Sequence, residues 1–302
     1  LAEDQSGRIW AGTVSSGISI IDPFQLTVRT VTMQPSEDHS LGSNSIHSIF
    51  RDRAGLVWLG TDGLSMYNPA LKKFNSPGDL STVYREMKSM QRITTLFEDA
   101  KSRIWAGSDE HGVFLLGDNR EDTKDPWLRT TLAELKTTDV SAVVQDKTGT
   151  IWIGTRGNGL IRISPENHEF VNQLAHPGNP AMQGINYING MAFQPPSSLW
   201  IATYDQGLIR YDTDLRTYTR YANDPADPAS FPANYLLRVY TDSRSTLWVC
   251  TWGAGIIHFD PHTETWKGYT NIPEDTASIS DNIVHSFAET NMDGKQLVWL
   301  EI

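Results

Sequence analysis

The stretch Val140-Ser141-Ala142-Val143-Val144-Gln145-Asp146-Lys147-Thr148-Gly149-Thr150-Ile151-Trp152-Ile153-Gly154-Thr155-Arg156-Gly157-Asn158-Gly159-Leu160-Ile161-Arg162-Ile163-Ser164 decides the fold. Three apolar runs of strand length, Val140–Gln145, Ile151–Thr155 and Leu160–Ser164, are separated by two short turns rich in Asp and Gly. A weaker run follows around Glu169–Gln173, which makes four strands in about 47 residues. That spacing is too short for β-α-β crossovers, and no segment of the chain sustains a 3.6-residue period.

The pattern repeats on both sides of this stretch. Trp10, Trp58, Trp105, Trp152, Trp200, Trp248 and Trp299 stand 48, 47, 47, 48, 48 and 51 residues apart. Six residues before the first six tryptophans lie Asp4, Asp52, Asp99, Asp146, Gln194 and Asp242; three before lie Gly7, Gly55, Ser102, Gly149, Ser197 and Ser245. Just after them come Gly12-Thr13, Gly60-Thr61, Gly107-Ser108, Gly154-Thr155, Ala202-Thr203 and Cys250-Thr251. A second glycine closes each unit's next turn, at Gly17, Gly63, Gly112, Gly159, Gly207 and Gly255.

Each mark has a physical reason. The D-x-x-G turn needs a carboxylate to accept backbone amides and, three places on, a residue that tolerates positive φ. The second glycine opens a hairpin, and the tryptophan is a wedge that fills space between neighbouring sheets. Four-stranded sheets repeated in this way predict an all-β propeller, which leaves only short edges exposed. The repeat units run approximately 1–45, 46–92, 93–139, 140–187, 188–235, 236–282 and, in part, 283–302 of one propeller. Seven registers favour seven blades with an incomplete last one. In the six-bladed alternative, Ile283–Glu289 replaces the strand lost from the first unit.

Composition narrows the function. With a formal net charge of −11 and a pI near 5.1, the chain repels phosphate backbones and anionic membrane surfaces, so no nucleic-acid partner is expected. A lone cysteine, Cys250, excludes an internal disulfide and reads as a packed structural thiol. No apolar run is long enough to span a bilayer, and Leu1-Ala2-Glu3-Asp4 reads as a cut inside a longer protein.

In a propeller, the turns between second and third strands share one face with the connectors between blades. Those turns carry Val14-Ser15-Ser16, Asp62, Asp109-Glu110-His111, Arg156-Gly157-Asn158, Tyr204-Asp205-Gln206 and Trp252-Gly253-Ala254. The frame around them hardly changes from unit to unit, whereas these positions change chemistry. Tyr204 and Trp252 offer faces for a ring, Arg156 a bidentate grip on an anion, and Asp109, Asn158, Asp205 and Gln206 partners for hydroxyls. With Glu110 and His111 these form the expected ligand site, for a small polar or carbohydrate ligand. An enzyme reading would use carboxylates among Asp62, Asp109, Glu110 and Asp205, as a glycosidase or polysaccharide lyase; no residue is assigned as catalytic. His258 and His262 flank Asp260 at a strand end, which is poor metal-ligand spacing, and neither a metal nor a cofactor is expected.

The segment Ser45-Ile46-His47-Ser48-Ile49-Phe50-Arg51-Asp52-Arg53-Ala54-Gly55-Leu56-Val57-Trp58-Leu59-Gly60-Thr61 resembles the two-component regulator propeller repeat. So do Ile151–Thr155 with Gly159-Leu160, and the acidic linker Asn223-Asp224-Pro225-Ala226-Asp227-Pro228-Ala229-Ser230. Two places depart from the pattern: Gln194-Pro195-Pro196 replaces the Asp turn, and Gly63 follows Thr61 after one residue. The resemblance implies the periplasmic sensor part of a bacterial inner-membrane receptor, with a histidine kinase or diguanylate cyclase elsewhere in the protein. It also implies a glycan-derived ligand and neighbouring receptor domains as partners. A docking module within the receptor is the remaining alternative, and a homodimer through regions outside this sequence stays open.

Overall fold

The computed structural model describes residues 1–37, 39–75, 92–116, 126–164, 169–172, 185–292 and 294–302. The fold is an all-β propeller of four-stranded blades, each an antiparallel sheet with its strands in chain order. Blade 1 holds β1 (Ala2–Glu3), β2 (Ile9–Gly12), β3 (Ile18–Asp22) and β4 (Thr27–Val31), and blade 2 holds β5 (Ser48–Arg51), β6 (Val57–Thr61), β7 (Gly63–Asn68) and β8 (Lys73–Asn75). Blade 3 shows β9 (Ile93–Glu98), β10 (Ile104–Ser108) and β11 (Val113–Leu116) among the described residues. Blade 4 is β12 (Val140–Gln145), β13 (Ile151–Thr155), β14 (Leu160–Ser164) and β15 (Glu169–Asn172). Blade 5 is β16 (Ile188–Gln194), β17 (Ser198–Thr203), β18 (Leu208–Asp212) and β19 (Tyr218–Tyr221). Blade 6 is β20 (Leu236–Thr241), β21 (Leu247–Thr251), β22 (Ile256–Asp260) and β23 (Thr265–Tyr269).

The count corrects the seven-bladed expectation to six. The seventh tryptophan register falls on β25 (Lys295–Glu301), which among the described residues pairs only with β24 (Ser286–Met292) in a two-stranded sheet. A second correction is a helix, α1 (Pro126–Glu134), where no helical segment was expected. Pro126 suits the first helical turn, where an amide donor is not required. Leu128, Thr131 and Leu135 are buried on one side, but so short a stripe leaves no sustained period to read. Past α1, the chain passes Gly112, whose amide donates to Thr138 O at 3.0 Å.

The chain divides into two compact units, Leu1–Val143 with Ala288–Trp299, and Val144–Phe287 with Leu300–Ile302. In the first, Trp10, Ile18, Ile20, Leu41, Ile46, Val57, Leu59 and Phe74 form the core between blades 1 and 2. In the second, Trp200, Leu208, Phe231, Leu236, Ile257 and Phe259 belong to the corresponding core between blades 5 and 6. Cys250 packs with Ile256, Val284 and Phe287, and burial pushes its thiol up to about 12.

The repeated Asp and Trp form one device. One carboxylate oxygen closes the turn: Asp4 Oδ1 accepts the amides of Ser6 and Arg8, and Asp99 Oδ1 those of Lys101 and Arg103. The other oxygen accepts the indole Nε1–H, at 2.9 Å for Trp10–Asp4, 2.7 Å for Trp58–Asp52 and 2.8 Å for Trp105–Asp99. Trp152–Asp146 and Trp248–Asp242 follow at 2.9 and 3.2 Å. Where Gln194 replaces the Asp, its Oε1 still accepts Trp200 Nε1 at 2.9 Å, so an acceptor is kept although the charge is lost. The tryptophan thus buries a large ring without leaving its donor unpaired. Burial pushes the carboxyls of Asp4 and Asp242 up, but the hydrogen bonds they accept outweigh it, and both lie below the usual carboxylate value.

Candidate functional site

The turn between second and third strands is built the same way in five blades. The hydroxyls of Thr13, Ser108, Thr155, Thr203 and Thr251 donate to the carbonyls of Gly17, Gly112, Gly159, Gly207 and Gly255 at 2.7 to 3.0 Å. The closing glycine has no substitute: at Gly255 φ is +73°, and an added Cβ would overlap the carbonyl oxygen of Tyr269. The connector to the next blade then crosses the turn. Gly17, Gly159, Gly207 and Gly255 each donate an amide to the carbonyl of a connector asparagine, Asn44, Asn186, Asn234 or Asn282. Asn44, Asn234 and Asn282 also accept, through Oδ1, the amides of Met33, Asn223 and Asn271. Within a blade, a separate backbone contact joins the first residue of the turn to the residue just before the innermost strand.

In the second unit those positions are aromatic. The Tyr204 amide donates to Tyr187 O, and the Trp252 amide to Tyr235 O, both at 3.0 Å. Ring centroids lie 6.3 Å apart for Tyr187–Tyr204 and 5.5 Å for Tyr204–Tyr235, the latter edge-to-face. Trp252, joined to Tyr235 through its backbone, forms a separate ring pair with His285, at 6.1 Å. Tyr187, Tyr204, Tyr235 and Trp252 are 54, 56, 52 and 58% exposed, so their rings offer surface to a partner.

The polar residues expected beside them are placed as follows. Arg156 forms an isolated bridge with Tyr187, and its Nε donates to Asn189 Oδ1 at 3.3 Å. Asn189 is buried on the bulge of β16 and donates its Nδ2 to Leu236 O, which holds Arg156 against a fixed acceptor. Asn158 and Asp205 point to solvent at the turn tips, and Gln206 is half-buried, with its carbonyl accepting Arg220 Nε at 2.8 Å. Tyr187, Tyr235 and His285 were missed in the sequence because each directly precedes an innermost strand and reads as its first residue. The asparagine just before Tyr187 and Tyr235 was the available signal.

In the first unit, Asp109, Glu110 and His111 occupy the turn of blade 3. Asp109 faces Arg92, the residue before β9, with Oδ2 at 3.6 Å from Arg92 Nε. Glu110 has φ +69° and is exposed, and the His111 amide donates to Asp109 O. In blade 2, Asp62 accepts Ser43 Oγ at 3.0 Å and lies 3.4 Å from His47 Nε2. Ser45 Oγ meets the same His47 nitrogen at 3.1 Å. A relay would need Ser and Asp on opposite ring nitrogens, so this Ser-His-Asp set lacks the geometry of an activated nucleophile. His258 Nε2 contacts Thr246 Oγ1 at 2.7 Å, and its ring packs against Trp248. Among the described residues no three His, Cys, Asp or Glu side chains converge as metal ligands, and no helix is long and apolar enough to cross a membrane.

Comparison with known proteins agrees with this architecture. No curated protein matches the sequence. Among solved structures, the extracellular domain of a candidate hybrid two component system from B. thetaiotaomicron is similar over 97% of this chain, at 20% identity and a TM-score of 0.62. The chain spans 38% of that protein's length. Virginiamycin B lyase from Staphylococcus aureus is similar over 99% of this chain and 93% of its own, at 14% identity and a TM-score of 0.59. At such identities both share the fold alone. Residues 40–63 and 134–157 match the family model described as two component regulator propeller, and each segment contains an indole-binding Asp turn, Asp52 with Trp58 and Asp146 with Trp152. Two segments of the chain, one leading into blade 2 and one in blade 4, are thus similar to the two-component regulator propeller repeat.

Proposed function

We propose that this chain is an extracytoplasmic ligand-sensing module of a bacterial two-component-type receptor, and that the aromatic series of the second unit receives the ligand. The observation that carries the reading is the clustering of Tyr187, Tyr204, Tyr235 and Trp252, each more than half exposed. Exposed aromatic faces pair with the apolar faces of sugar rings, while Asn158, Asp205 and Gln206 beside them offer hydrogen bonds to hydroxyls. A glycan-derived ligand suits this mixture. The module acts by binding, and its output passes to neighbouring domains of the same periplasmic receptor.

Titration calorimetry of the chain against an oligosaccharide panel tests this. Binding that weakens roughly tenfold or more in Trp252→Ala and in Tyr204→Ala is expected, as for aromatic anchors at other binding surfaces. Unchanged affinity in both variants would remove the site. Release of new reducing ends from the panel, lost in Asp205→Asn, would instead make the chain an enzyme.

A further inference from the structure

An open cleft of about 630 Å³ lies in the first unit between the outer parts of blades 1 and 2. Leu41, Tyr67 and Phe74 supply apolar walls, and three cations, Arg29, Lys72 and Lys73, line it together with one carboxylate, Glu37, and His39. Its origin is legible from register. Val31 pairs with Ile18 as Tyr221 pairs with Leu208, and Phe74 pairs with Tyr67 as Trp266 pairs with Phe259. Leu41 stands three residues before Asn44, as Phe231 stands three before Asn234.

In the second unit, the larger residues close this space. Tyr221 and Phe259 lie 5.1 Å apart, Phe231 and Trp266 5.7 Å, and Phe259 stacks on Trp266 at 6.2 Å. The Tyr221 hydroxyl donates to Glu264 Oε1 at 2.8 Å, and burial together with that bond pushes its pKa up to about 12. Lys72 stands where Glu264 does, and the two share the same left-handed backbone, with φ +54° and +53°. Blades 1 and 2 therefore lack a phenol-sized body and carry a cation where the closed version carries an anion. No ion pair to Arg29, Lys72 or Lys73 is found among the described residues, although the chain's net charge is −11.

We propose that this cleft binds a small carboxylate carried on an apolar, ring-sized body. The body rests on Leu41, Tyr67 and Phe74 in place of the absent tyrosine ring, and the carboxylate meets Lys72, with Arg29 and Lys73 beside it. Apolar walls beside three cations and one carboxylate favour such an anion over a neutral molecule of the same shape. A free aromatic acid and the C-terminus of a peptide ending in Phe offer the same chemistry.

The test is a ligand-observed NMR titration of the whole chain with phenylacetate, with phenylacetamide as the neutral isostere. Saturable binding of phenylacetate is expected, about tenfold or more weaker for the amide and for Lys72→Glu. Val31→Tyr combined with Lys72→Glu rebuilds the Tyr–Glu pair of the closed version and should abolish binding while melting no lower than the parent. No saturation by phenylacetate, or equal binding by the parent and a folded closed variant, overturns the proposal. If the closed variant does not fold, the amide and the single Lys72→Glu variant decide it, equal affinity in both being fatal. Competition by a Phe-ending dipeptide with a free carboxylate, and not by its amide, identifies peptide termini as a source; competition by neither restricts the site to free acids.

Discussion

Blades 3 and 5 make the same backbone contact and fill it with opposite chemistry. The Asp109 amide donates to Arg92 O at 3.3 Å and the Tyr204 amide to Tyr187 O at 3.0 Å. On that shared frame the first unit places an Arg–Asp pair and the second two exposed tyrosine rings. The frame is held by the capped turn and the crossing connector, neither of which involves these side chains. The two units therefore share a backbone frame and differ in the chemistry of the side chains set on it.

The largest effect should appear where the units agree. Trp105 and Trp200 are both fully buried, and replacing either by Ala should cost about 3–5 kcal/mol in denaturant unfolding. Phe sharpens the contrast: Trp105→Phe withdraws a donor from the Asp99 carboxylate and should cost about 1.5–3 kcal/mol, whereas Trp200→Phe withdraws one from the Gln194 amide and should cost about 0.5–1.5 kcal/mol. Equal losses would mean that the Asp and Gln turns are interchangeable.

Transplanting the polar pair is the next test. Tyr187→Arg with Tyr204→Asp should abolish ligand binding by the second unit while changing stability by only about 1 kcal/mol or less, because both sites are exposed. A large loss of stability would show that the rings hold the turn together.

Acid should separate the Asp blades from the Gln blade. Because the folded-state pKa values of Asp4 and Asp242 are depressed, their stabilisation is fully present above the unfolded carboxylate value. It is lost as pH falls from that value through the lowered folded ones. Asp4→Asn should flatten this decline in a pH series of denaturation midpoints, and an unchanged slope would remove the contribution. The smallest effect is expected for Arg92→Ala, a half-exposed pair at 3.6 Å that should contribute less than about 1 kcal/mol.

Much of the fold was legible because its signals are local. Strands β12, β13 and β14 coincide with the apolar runs of 140–164, since each turn carries its own Asp or Gly. The pairing of Asp and Trp six residues apart was not foreseen, although both members were: a turn role explained the Asp and a packing role the Trp, so nothing called for a bond between them. α1 escaped because one buried stripe over nine residues is too short to read as a period. Of the expected ligand residues, Tyr204 and Trp252 lie in the aromatic series, whereas Arg156 is held by Asn189 and Asp109 faces Arg92.

By itself, the sequence determined the blade: strand length, turn type, and the wedge with its acceptor all act within one repeat, across a hairpin. Only the tertiary structure decided which side chains from different repeats meet, because the connectors, rather than any local preference, carry Tyr235 to Tyr204 and His285 to Trp252. It also decided that the space between two blades is filled by Tyr221, Phe231 and Trp266 in one unit and left open by Val31, Leu41 and Phe74 in the other. Packing is a property of the residues on both sides of an interface, and no single repeat contains both.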